Sequence, residues 1–216
     1  MQETTGDKTL SIRVAPEGFY VGGVFSACHP ERMADTLKRQ FDDADFVRAY
    51  VEIDTLSTVA VPESYCDNAL AEGYLAVNNL LPAGHVPVQT QWNGVAIVMS
   101  CREDVVAWLR ERYGTRVHFL SPLVCALDAT GSHDALSLCL TATNVYIVLW
   151  NEGLKFAQAL PCSSPTDLGY YISTLAAEYD LANIKIYVSG KYDKKLIREL
   201  KRFSPEISDA NNKRKI

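Results

Sequence analysis

Two stretches of this 216-residue chain begin in the same way. The first runs Leu10-Ser-Ile-Arg-Val14, breaks at Ala15-Pro-Glu-Gly18, and resumes as Phe19-Tyr-Val-Gly-Gly-Val-Phe25. The second runs Leu136-Ser-Leu-Cys-Leu140, breaks at Thr141-Ala-Thr-Asn144, and resumes as Val145-Tyr-Ile-Val-Leu-Trp150. In each a short strand turns sharply into another, and alternating helical and strand patterns follow. A chain that starts twice on the same plan is constrained to a duplicated α/β architecture. Its length accommodates two lobes of about 100 residues. The expected division is 1–119 and 120–216.

The first half punctuates the plan with extra elements. Pro30 suits the first turn of a helix. Met33, Leu37 and Phe41 then recur at helical spacing on one face, up to the acidic break at Asp42, Asp43 and Asp45. Residues 46–53 and 57–61 read as a second hairpin stopped by Pro62. Ser64 is the expected cap of a helix over 64–77 with Leu70, Tyr74 and Val77 on one face. Pro82, Gly84 and Pro87 mark 78–92 as loop. The apolar run 94–100 predicts a strand buried on both faces. A helix over 102–113, a strand over 116–120 and a helix from Ser121-Pro122 to about residue 127 complete the half.

The second half reads more cleanly as βββαβα. Strands are expected at about 135–142, 145–150 and 154–160, the last two joined at Asn151-Glu-Gly153. A helix over 165–179, a strand over 184–188 and a helix over 193–203 follow. Residues 1–8 and 204–216 are polar and expected to lie outside the core.

Composition excludes several classes. Hydrophobic residues make up 48% and charged residues 22%, which is the balance of a globular chain. The formal net charge of −5 is the wrong sign for a general nucleic-acid binder. Cys28, Cys66, Cys101, Cys125, Cys139 and Cys162 are scattered, several among apolar neighbours, as reduced cysteines used as small hydrophobes are. The first residues show no charged-then-apolar leader, and no stretch approaches the ~20 apolar residues of a membrane-spanning helix. A soluble, reduced, cytoplasmic protein is expected, with no membrane insertion.

Tandem units of this kind are the plan of actin-type ATPases and phosphotransferases. There the amides of two β-turns cradle phosphates, and neighbouring carboxylates hold Mg²⁺ through water. The matching turns here, 14–18 and 140–144, carry no Asp at the end of the first strand. Glu17 is displaced into its turn, and Pro16 removes an amide. A nuclease of the ribonuclease H type would need an Asp on the first strand, where Arg13 and apolar residues stand.

Ser189-Gly190-Lys191, between a strand and a helix, is the candidate nucleotide contact, although it lacks the spacing of a P-loop. Gly22-Gly23 is expected inside the second strand, marking a bulge or close packing. The Asp42, Asp43, Asp45 group lacks the glycine and spacing of a calcium loop, and a solvated turn is expected. Cys28-His29 finds no third partner, and His85, His118 and His133 are isolated, so no catalytic or metal residue is assigned. The last helix is basic through Lys191, Lys194, Lys195, Arg198, Lys201 and Arg202, continued by Lys213, Arg214 and Lys215. It reads as a solvated charged face able to meet an acidic partner. No aromatic platform accompanies it, so nucleic acid is not expected.

Several stretches carry a family likeness. They are Leu10-Ser-Ile-Arg-Val14 with Gly18-Phe19, Thr58-Val-Ala-Val-Pro62-Glu63, Val117-His118-Phe119, the run 136–149, Asp167-Leu-Gly-Tyr-Tyr171 and Val188-Ser-Gly190. Through them the chain resembles an uncharacterised family of domains of unknown function, found chiefly in Bacteroidetes, with an actin-like ATPase fold. The resemblance implies an α/β fold of duplicated ribonuclease H-like type, two lobes each with a mixed β-sheet flanked by helices. It carries over no catalytic residues. The wider actin-like group includes ATPases, sugar kinases and degenerate members that act as scaffolds. With the phosphate-turn aspartates absent, the expected role is a non-catalytic protein-interaction or scaffold module with a protein partner and no cofactor. The alternative is an ATP-binding ATPase or kinase with an atypical Mg²⁺ site.

Overall fold

The computed structural model describes residues 8–211, apart from Asp43, Ser132 and Asp193. Lys213, Arg214 and Lys215 therefore lie outside the described residues, as does Asp43 of the acidic group. In chain order the elements are β1 (Thr9–Ala15), β2 (Gly18–Val21), β3 (Val24–Ala27), α1 (Met33–Phe41), β4 (Arg48–Ile53), β5 (Thr58–Pro62), α2 (Ala71–Ala76), β6 (His85–Trp92) and β7 (Val95–Arg102). They continue with α3 (Glu103–Tyr113), β8 (Val117–Leu120), α4 (Pro122–Thr130), β9 (Ala135–Leu140), β10 (Asn144–Trp150), β11 (Leu154–Pro161), α5 (Pro165–Glu178), β12 (Lys185–Gly190), α6 (Lys194–Leu200) and β13 (Ile207–Asp209). The chain divides into two compact units. One holds the chain through Ser57 with Tyr65–Thr90 and Val98–Ser121; the other holds Thr58–Ser64, Gln91–Ile97 and the chain from Pro122 onward.

The two units repeat one topology. In the first, the sheet order is β3-β2-β1-β4-β8; in the second it is β11-β10-β9-β12-β13. Each is a three-stranded antiparallel meander whose first strand pairs in parallel with a fourth strand, which in turn pairs in parallel with a fifth. The core of the first unit gathers Leu10, Ile12 and Val14 of β1 with Met33 and Leu37 of α1 and Val105 and Leu109 of α3. Its counterpart in the second gathers Leu136, Leu138 and Leu140 of β9 with Leu168, Ile172 and Leu175 of α5. The i, i+4 spacing that predicts α1 and α5 is what turns those side chains onto the sheets. A second cluster in that unit joins Val95 and Ile97 to Leu123, Leu127, Tyr146 and Val148. β9 and the first six residues of β10 are therefore buried on both faces.

Several expectations are corrected. Gly22-Gly23 is not a bulge but the two-residue turn between β2 and β3, with φ +55° and +81°. That conformation suits the twist of a hairpin and favours glycine. The first unit thus starts βββ, like the second. β4 and β5 do not form a hairpin, because both edges of β4 are taken by β1 and β8. β5 instead belongs to a three-stranded sheet, β5-β7-β6. β6 occupies much of the expected loop 78–92.

The expected helix 64–77 is shorter and starts later. Asp67, not Ser64, caps a short 3-10 turn before α2, accepting a bond from the Ala69 amide at 2.9 Å. Leu75 is buried, whereas Leu70 and Val77 of the expected inner face are exposed. β13 lies in the expected polar tail and pairs with β12. Residues 58–64 and 91–97 pack with the second unit, where Ala60, Val95 and Ile97 join its apolar cluster.

Candidate functional site

Each unit offers a hollow in the same topological place, at the carboxyl end of its first strand and of the parallel strand beside it. Ligands of α/β sheets bind at such strand ends. The register makes the equivalence residue by residue. Val14 of β1 faces Ile53 of β4, and Leu140 of β9 faces Gly190 of β12. The next amide closes the same hydrogen bond in both units: Asp54 donates to the Val14 carbonyl at 2.8 Å, and Lys191 donates to the Leu140 carbonyl at 3.0 Å. Beyond the turns, the Cys28 amide donates to Glu17 and the Cys162 amide to Thr143, at 3.1 and 2.7 Å. Cys28 and Cys162 each stand shortly before a proline that opens the next helical segment. The halves are thus twins down to single bonds, with an acid and a base at the equivalent positions 54 and 191.

In the first unit a cavity of about 240 Å³ lies against Val14, Ala15 and Pro16 on one side and Asp54, Ser100 and Cys101 on another. Asp54 is 2% exposed and Ser100 equally buried. Sequence reasoning looked for a carboxylate on the first strand and missed Asp54, which the parallel pairing of β4 delivers to the same end. The signal was present in Ile53-Asp54, an acid closing an apolar strand. Burial pushes the Cys101 thiol up to about 12, so it is no nucleophile at neutral pH. At the mouth, Arg102 holds Asp104 with two hydrogen bonds of 3.0 and 2.7 Å. Burial opposes ionisation of Asp104, but the Arg102 bond and charge and the Val105 amide outweigh it and keep the carboxyl below its usual range. Arg13, where a nuclease would need a metal-binding Asp, is ion-paired with Glu52 across β1 and β4. His85 also borders the cavity, yet no group of three His, Cys, Asp or Glu side chains able to hold a metal ion occurs among the described residues.

In the second unit a cleft of about 360 Å³ is bordered by Thr141, Ala142, Ser163, Ser164, Lys191 and Tyr192. Its amides are largely committed. Ser164 caps α5 by accepting from the Asp167 amide, while the amides of Ser163 and Ser164 both donate to the Asp167 carboxylate. This capping box satisfies donors that a phosphate would otherwise use. The Ser163 amide, the Ser164 hydroxyl and the Ser163 hydroxyl hold the Asp167 carboxyl below its usual range. In the turn itself, Thr141 and Asn144 bond to each other, Thr141 amide to Asn144 carbonyl at 2.9 Å and Asn144 amide to the Thr141 hydroxyl at 3.2 Å. Burial, then the hydrogen bond and charge of Asp209, push the Tyr192 phenol up to about 12.

The three residues singled out for nucleotide contact separate here. Ser189 is 1% exposed, and its hydroxyl donates to the Leu138 carbonyl at 3.3 Å and lies 3.2 Å from the Cys125 thiol. Gly190 is exposed but tied to Asn211, whose side chain accepts from its amide at 2.7 Å and donates to its carbonyl at 3.2 Å. Lys191 alone of the three borders the cleft with an exposed side chain.

Residues 1–207 match the family described as "Protein of unknown function (DUF3822)". The chain belongs to that family. No curated protein matches it. Among solved structures it is similar to a Bacteroides thetaiotaomicron protein described as having an actin-like ATPase fold and unknown function. The two share 18% identity over 95% of this chain and 91% of that one, with a TM-score of 0.76. The fold of this DUF3822 protein is accordingly the actin-like ATPase fold, α/β, with a mixed sheet flanked by helices in each half. Weaker likenesses, each at 10% identity, are to the cytoplasmic domain of EpsL, an inner membrane component of the type II secretion system of Vibrio cholerae, and to an AlfA filament bound to AMPPNP. The first covers 94% of this chain and 85% of that one with a TM-score of 0.46, the second 95% and 90% with 0.45. Neither bears on what this chain binds. No helix among the described residues is long and apolar enough to cross a membrane.

Proposed function

We propose that this DUF3822 protein is a non-catalytic actin-like-fold protein that works as a protein-interaction or scaffold module in the cytoplasm. One observation carries the reading: at both twin turns, groups that phosphoryl transfer would require are missing or engaged internally. β1 ends on Val14-Ala15 and β9 on Leu140, with Thr141 opening its turn, so neither strand ends on a carboxylate. Pro16 has no amide to give, and the Ser163 and Ser164 amides are committed to Asp167. The fold itself is neutral on the question, because one scaffold hosts unrelated functions. Six free cysteines, four of them buried, accord with a reducing compartment.

Asp54 supports a second reading, an ATP-binding ATPase or kinase with an atypical Mg²⁺ site. Its carboxylate is buried beside the first turn, where water-mediated Mg²⁺ contact would be of use. Thermal unfolding with and without ATP and Mg²⁺ separates the two. A ligand at 100 times its dissociation constant adds about 2.7 kcal/mol, or roughly 5–10 °C for a chain of this size. The scaffold reading expects no shift. A shift that disappears in Asp54→Asn would establish the nucleotide reading in its place. Substituting Gly190 would not separate them, since any side chain there collides with β9.

A further inference from the structure

The second unit carries a groove of about 910 Å³ between α5 and α6, next to the cleft at the strand ends, with which it shares Pro165. One wall is cationic: Lys195, Arg198 and Arg202 are spaced three and four residues apart, so they share a face, and Glu199 is the single acid among the lining residues. On a chain of net charge −5 this is a local reversal of sign. The other wall is α5, which presents Thr166, Gly169 and Ser173 with Tyr170 beside them, its side chain 69% exposed. Phe203 adds apolar surface at the end of the groove.

Gly169 is the odd residue of that wall. It sits inside a 14-residue helix, where glycine costs about 1 kcal/mol relative to alanine. A Cβ built there meets nothing within 4 Å, so no packing contact demands the glycine. It leaves the α5 wall of the groove without a side chain at that position.

We infer that this groove docks an acidic amphipathic segment of a partner protein, with carboxylates against Lys195, Arg198 and Arg202 and an apolar side chain against Tyr170 and over Gly169. The inference rests on the interaction-module reading and names the chemistry of the partner. Charge complementarity selects the occupant: an acidic segment gains from the cationic wall, and an aromatic with an apolar body and polar tip suits a peptide anchor. Nucleic acid fits less well, because Tyr170 is the one exposed aromatic of the groove and makes no stacking platform.

The test is fluorescence anisotropy on the full chain. The probe is a labelled helical peptide with Leu and Glu on one face; controls are the same peptide with Lys for Glu, and polyuridylate RNA. The acidic peptide saturates and the Lys peptide does not. Gly169→Trp, which fills the groove, and the pair Arg198→Glu with Arg202→Glu, which reverses its wall, each weaken binding by roughly tenfold or more. Circular dichroism of both variants confirms that they are folded. No saturation by the acidic peptide, or binding indifferent to Gly169→Trp, overturns the inference. So does RNA binding that the peptide cannot displace, or sedimentation in which Gly169→Trp turns a dimer into a monomer. An ATP-dependent rise in melting temperature would sink the non-catalytic reading while leaving the groove result standing, so the two failures are distinguishable.

Discussion

Gly190 shows how a single residue can be fixed by architecture and still look like a ligand contact. Its φ is +85°, and a Cβ there would lie 1.9 Å from the Leu140 carbonyl oxygen. That oxygen accepts the Lys191 amide, so it cannot retreat without breaking the bond that ends β12 against β9. Gly190→Ala is therefore expected to cost on the order of 3 kcal/mol or more. Gly22→Ala is the control: φ is also positive, at +55°, but nothing lies within 4 Å, and the cost should stay near 1 kcal/mol. Urea unfolding of the two variants measures the difference, and equal costs would refute the steric assignment. In the sequence Gly190 was legible as a glycine between a strand and a helix, a place shared by nucleotide-binding turns and plain strand ends. What could not be read was the parallel register that puts Leu140 beneath it. The equivalent register of β1 and β4 hid the place of Asp54: the acid closing an apolar strand was visible, but not the pairing that sets it beside the first turn.

The elements that carry their own signal came through; those defined by their neighbours did not. α1 has apolar spacing that only a helix can bury on one side, and its expected inner face, Met33, Leu37 and Phe41, is the buried one. β6 was lost because Pro87 argues against a central strand, yet β6 is the edge of its sheet, where proline is tolerated. α5 also holds a cap that should respond to pH. Asp167 is held below its usual range in the folded chain by the amide of Ser163 and the hydroxyls of Ser164 and Ser163. A group depressed on folding contributes stability above its unfolded value, near 3.9 for Asp, and that contribution is lost as pH falls through the folded value. Asp167→Asn should therefore melt lower than the parent at pH 7. The gap between them should narrow below about pH 4 and close once the parent's carboxyl is protonated. A gap that is constant across that range would show that the carboxylate charge is not what matters at the cap.

At the scale of the whole chain, the duplication relates two of the six scattered cysteines. Cys28 and Cys162 hold one equivalent position, each with its amide bonded to the preceding turn, yet Cys28 is half-buried and Cys162 only 8% exposed. Burial and then the charge of Asp167 raise the Cys162 thiol above its usual value, as burial does more strongly for Cys101. Cys125 and Cys139 are also buried, which leaves Cys28 and Cys66 as the two thiols with appreciable access. Reaction rate follows access and thiolate fraction together, so buried thiols with raised values lose on both counts. With a chromogenic disulfide reagent at pH 8 the native protein should therefore show a fast phase of two thiols, and six after denaturation. The four slow thiols then report opening of the structure around them, and their rates should fall with any treatment that stabilises it. A third fast thiol that peptide mapping assigns to Cys162 would mean that Cys162 is accessible at the second cleft. In that case the cleft that Cys162 and Lys191 line opens in solution, and it would be roomy enough to reopen the nucleotide reading.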